Sequence, residues 1–62
     1  VVLEDSAAGV MAGYSAGFDV IGVKGGNIEA SGLTPLLCHL AENLTDALHY
    51  ILNGGCDLEN QK

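Results

Sequence analysis

The stretch from residue 1 to residue 9 constrains this chain more than any other. Val1-Val2-Leu3 is a continuous apolar run, the pattern of a parallel strand covered on both faces. The run stops at Glu4-Asp5. Ser6 then supplies a hydroxyl that can accept a hydrogen bond from an unpaired N–H of a following helix. Ala7 to Ala16 reads as that helix, and Gly17 stands where a left-handed residue ends one. Asp19-Val20-Ile21-Gly22-Val23 is dominated by β-branched side chains and reads as a second strand. Strand, helix and strand with short connections form a βαβ unit, and such units build parallel sheets.

The first helix carries Gly9, Ala12, Gly13 and Ala16 at helical spacing. Each glycine costs about 1 kcal/mol of helix propensity, so a helix that keeps two of them is expected to use the stripe for close approach to a neighbour. Lys24 to Leu33 reads as a loop, punctuated by Gly25-Gly26-Asn27 and Ser31-Gly32. Thr34-Pro35 suits a short helical turn with proline at its first position. A short strand near Cys38 to Ala41 follows, and then a final helix capped by Asn43 or Thr45 and running through Leu52. Leu44, Ala47, Leu48 and Ile51 mark its apolar side. Asn53-Gly54-Gly55 ends it, and residues 56–62 read as a polar tail. The fold class expected is therefore α/β: the C-terminal part of a Rossmann-like parallel sheet, with the βαβ unit followed by a short strand and a final helix over residues 1–55.

Size and charge narrow the function. A 62-residue unit buries only about 60% of the surface of its unfolded chain. A chain that opens inside an apolar strand, without a Met, is expected to continue upstream. The net charge of −6 and the presence of only Lys24 and Lys62 as basic residues leave nothing to neutralise nucleic-acid phosphates or an anionic membrane. No apolar run approaches the ~20 residues of a membrane span. An acidic chain can still act on phosphate esters when a bound cation supplies the positive charge. Cys38 and Cys56 match no zinc spacing and are expected as reduced thiols in a cytoplasmic protein.

Glu4-Asp5 is the strongest chemical signal. In open α/β sheets, ligands bind in the crevice outside the carboxyl ends of the strands, which is where this pair is expected. Two carboxylates there can hold Mg²⁺, which takes few protein ligands and keeps several waters. The plainer reading is that Asp5 only favours the positive end of the helix that follows.

The longer string Val1-Val2-Leu3-Glu4-Asp5-Ser6-Ala7-Ala8-Gly9-Val10, followed by Ala12-Gly13, Ala16-Gly17 and Val20-Ile21-Gly22-Val23, resembles the fourth motif region of haloacid dehalogenase-like hydrolases. The branch it is most similar to includes β-phosphoglucomutase and small sugar-phosphate phosphatases. The likeness is clear over residues 1–23 and weaker over 36–52. It implies that Asp5 holds an essential Mg²⁺ and that Glu4 helps to bind or orient it. Ser6 matches a residue at the edge of the metal site, although capping alone accounts for it. The same resemblance implies a small phosphate-ester substrate, hydrolysed through an aspartyl-phosphate intermediate. The nucleophilic Asp, a phosphate-binding Ser or Thr and a charge-balancing Lys would lie in the upstream part of the same core domain. The chain has no DxD sequence, so no catalytic nucleophile is expected within it and the chain alone is expected to be inactive. A phosphomutase of the same fold is the alternative within the family. A non-catalytic α/β fragment or interaction module is the alternative outside it.

Other candidates read as structure. His39 and His49 lack the i, i+4 spacing of a helical metal pair. Gly25-Gly26-Asn27 lacks the pattern of a phosphate cradle and reads as a turn. Lys24 follows the fourth motif, so it cannot be the family's catalytic Lys, and reads as a solvated loop charge. Met11 and Tyr14 read as packing residues, and Asp57 and Glu59 as part of a solubilising tail.

Overall fold

The computed structural model describes residues 1–55; the tail expected at 56–62 lies outside the described residues. Three strands form one parallel sheet in the order β1-β2-β3: β1 (Val2–Glu4), β2 (Val20–Val23) and β3 (His39–Ala41). Val2 pairs with Val20, Leu3 with Ile21 and Glu4 with Gly22; Ile21 then pairs with His39 and Val23 with Ala41. The chain has the α/β architecture of a Rossmann-like βαβ unit extended by a third strand and a last helix.

Side chains alternate across a strand, and the core divides accordingly. Val10, Val20 and Ile28 are buried on one face, with Val2, Leu33, Leu36 and Leu37 packed around them. Ile21, Ala41 and Ala47 are buried on the other, with Leu3, Val23, Cys38, Tyr50 and Ile51. The sheet is therefore covered on both faces, which is why β1 and β2 read as unbroken apolar runs rather than alternating ones.

Helix α1 (Ala7–Ser15) is capped by Ser6, whose Oγ accepts from the Gly9 N–H at 3.2 Å. It ends at Gly17, at φ 88°. There Gly17 N–H donates to the Tyr14 carbonyl and Phe18 N–H to the Gly13 carbonyl, the paired bonds of a Schellman stop. The small-residue stripe does only half of what its spacing suggests. Gly13 is buried against Val20 and Val2, and Gly9 is half-buried against Glu4, while Ala12 and Ala16 are exposed.

The segment expected as loop, Lys24 to Leu33, contains one helical turn, α2 (Ile28–Ser31). Burial of Ile28 anchors it, and Gly32 at φ 78° ends it. Thr34–Leu36 is a 3₁₀ turn with proline in its first turn, as the sequence indicates. Helix α3 (Leu44–Leu52) starts at Asn43, whose Oδ1 accepts from the Asp46 N–H at 2.9 Å. Its inward side differs from the one read in the sequence: Ala47, Tyr50 and Ile51 face the sheet, whereas Leu44 and Leu48 are 59% and 49% exposed. Cys38 is disulfide-bonded, contrary to the reduced thiol expected. Spacing along the chain carries no information on which thiols a fold brings together, and the reduced-thiol argument for a cytoplasmic location falls with it. No helix among the described residues is long and apolar enough to cross a membrane.

Candidate functional site

The carboxyl ends of the strands carry the charged residues. Glu4 closes β1 and Asp5 follows it in a bend. Lys24 follows β2, and Glu42 follows β3. This placement comes from the sheet itself: all three strands are parallel, so each apolar run stops at the same edge and the polar residue after it emerges there. Glu4 and Asp5, with Leu3, Val23 and Leu44, line an open cleft of about 390 Å³ at that edge.

Strand alternation directs Glu4 to the same face as Val2, toward α1. Its side chain lies across Gly9, and a Cβ at residue 9 would fall on the Glu4 carboxylate. Glycine at this position leaves the space that the carboxylate fills. Asp5 is exposed, and its backbone carbonyl is covered by Gly26 so closely that a Cβ there would strike the carbonyl oxygen. Asn27, next in the chain, sends Oδ1 to the Ala7 N–H at 2.8 Å. The turn Asp5-Ser6-Ala7 is thus held from two sides: by its own Ser6 cap, and by the loop after β2.

Lys24 and Glu42 neutralise each other at the tips of β2 and β3, with Nζ donating to Oε2 at 2.8 Å. The hydrogen bond to Glu42, and then the charge of Glu42, raise the Lys24 pKa above its ordinary value of 10.5. Lys24 is exposed, as expected of a solvated loop charge, and is in addition paired with Glu42. Among the described residues Glu4 and Asp5 have no such partner. Among the described residues no side-chain hydrogen bond or ion pair reaches either carboxylate.

That donor set suits a hard cation. Carboxylate oxygens are the ligands that Mg²⁺ prefers, and an open cleft leaves room for the waters it keeps; Asp5 is exposed at the cleft, while the Glu4 carboxylate lies over Gly9. Among the described residues no group of three or more His, Cys, Asp or Glu side chains could hold a metal ion, so any further ligands would come from water or from outside this set. His39 and His49 are not drawn into the cleft. His39 stacks on Tyr50, ring centroids 4.0 Å apart and planes within 5°, with Nε2 at 3.7 Å from Asp46 Oδ2.

No family model, no curated protein and no solved structure matches this chain.

The sequence places Glu4 and Asp5 at a strand end and Ser6 at a helix cap, as observed, and gives no role to Asn27. No feature of the sequence points to Asn27. It sits at the N-cap of α2, where an Asn side chain ordinarily bonds its own helix, yet it makes no such bond there. Which other N–H it serves is fixed by tertiary structure alone.

Proposed function

We propose that this chain supplies the cation-holding carboxylates of a Mg²⁺-dependent enzyme that hydrolyses a small phosphate ester, with the nucleophile on an upstream part of the same core domain. The observation that carries this reading is the Glu4–Asp5 pair at the carboxyl tip of β1, lining an open cleft and unpartnered among the described residues. The resemblance of residues 1–23 to the fourth motif of haloacid dehalogenase-like hydrolases supports the same reading.

In this proposal Asp5, in the bend, is the principal ligand. Glu4, laid over Gly9, is the second carboxylate and orients the ion or its waters. The cation, when bound, supplies positive charge to the phosphoryl oxygens and to an attacking carboxylate. Ser6 keeps its oxygen on the Gly9 N–H and fixes the direction in which the turn leaves the strand. Leu3, Val23 and Leu44 form an apolar wall to the cleft. Proton transfer and nucleophilic attack are assigned to no residue of this chain.

The test is a Mg²⁺ titration of the chain followed on its backbone amides. Saturable shifts confined to residues 3–7, abolished by Asp5→Asn, are expected. A titration without saturable shifts, or one that survives Asp5→Asn unchanged, would remove the basis of the proposal. Turnover of an aryl phosphate by the chain alone, lost in Asp5→Ala, would overturn the assignment of the nucleophile to an upstream part.

A further inference from the structure

We infer that Asn27 is a positioning residue for the Asp5 turn, acting through the backbone of α1; this rests on the cation-site reading given above. The first turn of any helix leaves N–H groups without intrahelical partners. In α1 one of them, Gly9 N–H, is taken by the Ser6 hydroxyl at 3.2 Å. Another, Ala7 N–H, is taken by Asn27 Oδ1 at 2.8 Å, across 20 residues of sequence. Ala7 is two residues beyond Asp5, so this bond fixes the backbone direction in which the Asp5 side chain is presented.

A second observation points the same way. Gly26 meets the Asp5 carbonyl so closely that no side chain fits between them. The loop after β2 therefore grips the turn at two successive places: Gly26 on the Asp5 carbonyl and Asn27 on the Ala7 N–H. Both residues lie outside the string that resembles a cation site, and among the described residues no hydrogen bond joins either to the carboxylates. Partners that orient metal ligands without touching the ion typically change metal affinity by 10- to 100-fold when removed. The loop thus sets how firmly Asp5 is aimed, whereas Glu4 and Asp5 set whether there is a site.

The experiment uses amide spectra of the full chain titrated with Mg²⁺, comparing wild type with Asn27→Ala, Asn27→Asp and Asp5→Asn. In Asn27→Ala, Mg²⁺ is expected to bind about 10-fold more weakly. The Ala7 amide should lose its hydrogen-bonded shift and its protection from exchange, with residues of β3 and α3 unmoved. Asn27→Asp, which keeps an oxygen at the same reach, should restore both the Ala7 amide and the affinity. Wild-type affinity in Asn27→Ala, alongside loss of binding in Asp5→Asn, would overturn the positioning role and leave the cation site standing. Absence of Mg²⁺ binding to the wild type would overturn both. Should Asn27→Ala fail to fold, hydrogen exchange of the wild type decides: an unprotected Ala7 amide overturns the inference, and a protected one that shifts on Mg²⁺ saturation supports it.

Discussion

Two glycines of α1 face the sheet, and what lies beyond each differs: the end of the Glu4 side chain at Gly9, and packed valines at Gly13. A Cβ at Gly13 would stand 3.0 Å from Val20 Cγ2 and 3.5 Å from Val2 Cγ1. Both neighbours are β-branched and stiff at χ1, and Val20 is fully buried. Overpacking of that kind costs about 1–3 kcal/mol, against about 1 kcal/mol gained from alanine's helix propensity. Gly13→Ala is therefore expected to lower the urea midpoint. A Cβ at Gly9 would meet the far end of the Glu4 side chain, which can swing aside. Gly9→Ala is thus expected to leave the urea midpoint unchanged or raised while weakening Mg²⁺ binding, because Glu4 is displaced from its place over the helix. Equal losses of stability in the two variants would show that Glu4 is rigidly held. At this scale the sequence was informative about identity and silent about contact. Glu4, Asp5 and Ser6 are recognisable because local order defines a strand end and a cap, whereas Asn27 acts on a residue 20 positions away.

At the scale of elements, short-range chemistry was legible and tertiary reach was not. Asn43 reads as a cap and is one, because a cap bond closes within three residues. Its loss in Asn43→Ala is expected to cost about 1 kcal/mol, read as a lower thermal midpoint. Asp46, whose Oδ2 accepts from the Glu42 N–H, would keep the start of α3 in register. The inward side of α3 was misread because apolar periodicity shows which side of a helix is apolar, not how wide a sheet it must cover. The helix packs on β2 and β3, where Ala47, Tyr50 and Ile51 suffice, and Leu44 and Leu48 are left outside. The turn of α2 was hidden for the same reason: four residues of helix have no period to read, and Ile28 holds them through the core. The Lys24–Glu42 pair, which ties the ends of β2 and β3, makes a claim about pH. Its lysine is held protonated by Glu42 and so has a folded pKa above the ordinary 10.5. The folded chain binds that proton more tightly than the unfolded chain. The contribution is therefore complete below the unfolded value and lost as pH rises through the folded one. Thermal midpoints measured across this alkaline window should fall more steeply in wild type than in Glu42→Gln. The difference should be small, since the pair is exposed.

The whole molecule rests on a small core. Among the described residues six hydrophobic side chains are buried, divided between two faces of a three-stranded sheet, and a chain of this length is expected to hold on the order of 3–9 kcal/mol of net stability. Much apolar surface remains outside. Leu44, Leu48 and Leu52 recur every fourth residue along α3 and are all exposed, as are Met11, Tyr14 and Phe18 on and just after α1. Among the described residues β1 pairs only with β2, and an unpaired strand edge is a template for another chain. Against association stands the net charge of −6, because two copies repel each other over distances set by the ionic strength. The two effects have opposite salt dependence: added salt screens the repulsion and leaves the apolar attraction in place. Sedimentation of the chain should therefore show a mass that rises with salt and with protein concentration. A glutamate at position 52 (Leu52→Glu), which adds charge to the Leu row and removes its most exposed member, should return the high-salt mass toward that of one chain. A mass independent of salt would mean that neither the β1 edge nor the α3 row is adhesive. A mass that rises equally in wild type and Leu52→Glu would move the adhesive surface from the α3 row to the β1 edge or to the exposed Met11, Tyr14 and Phe18.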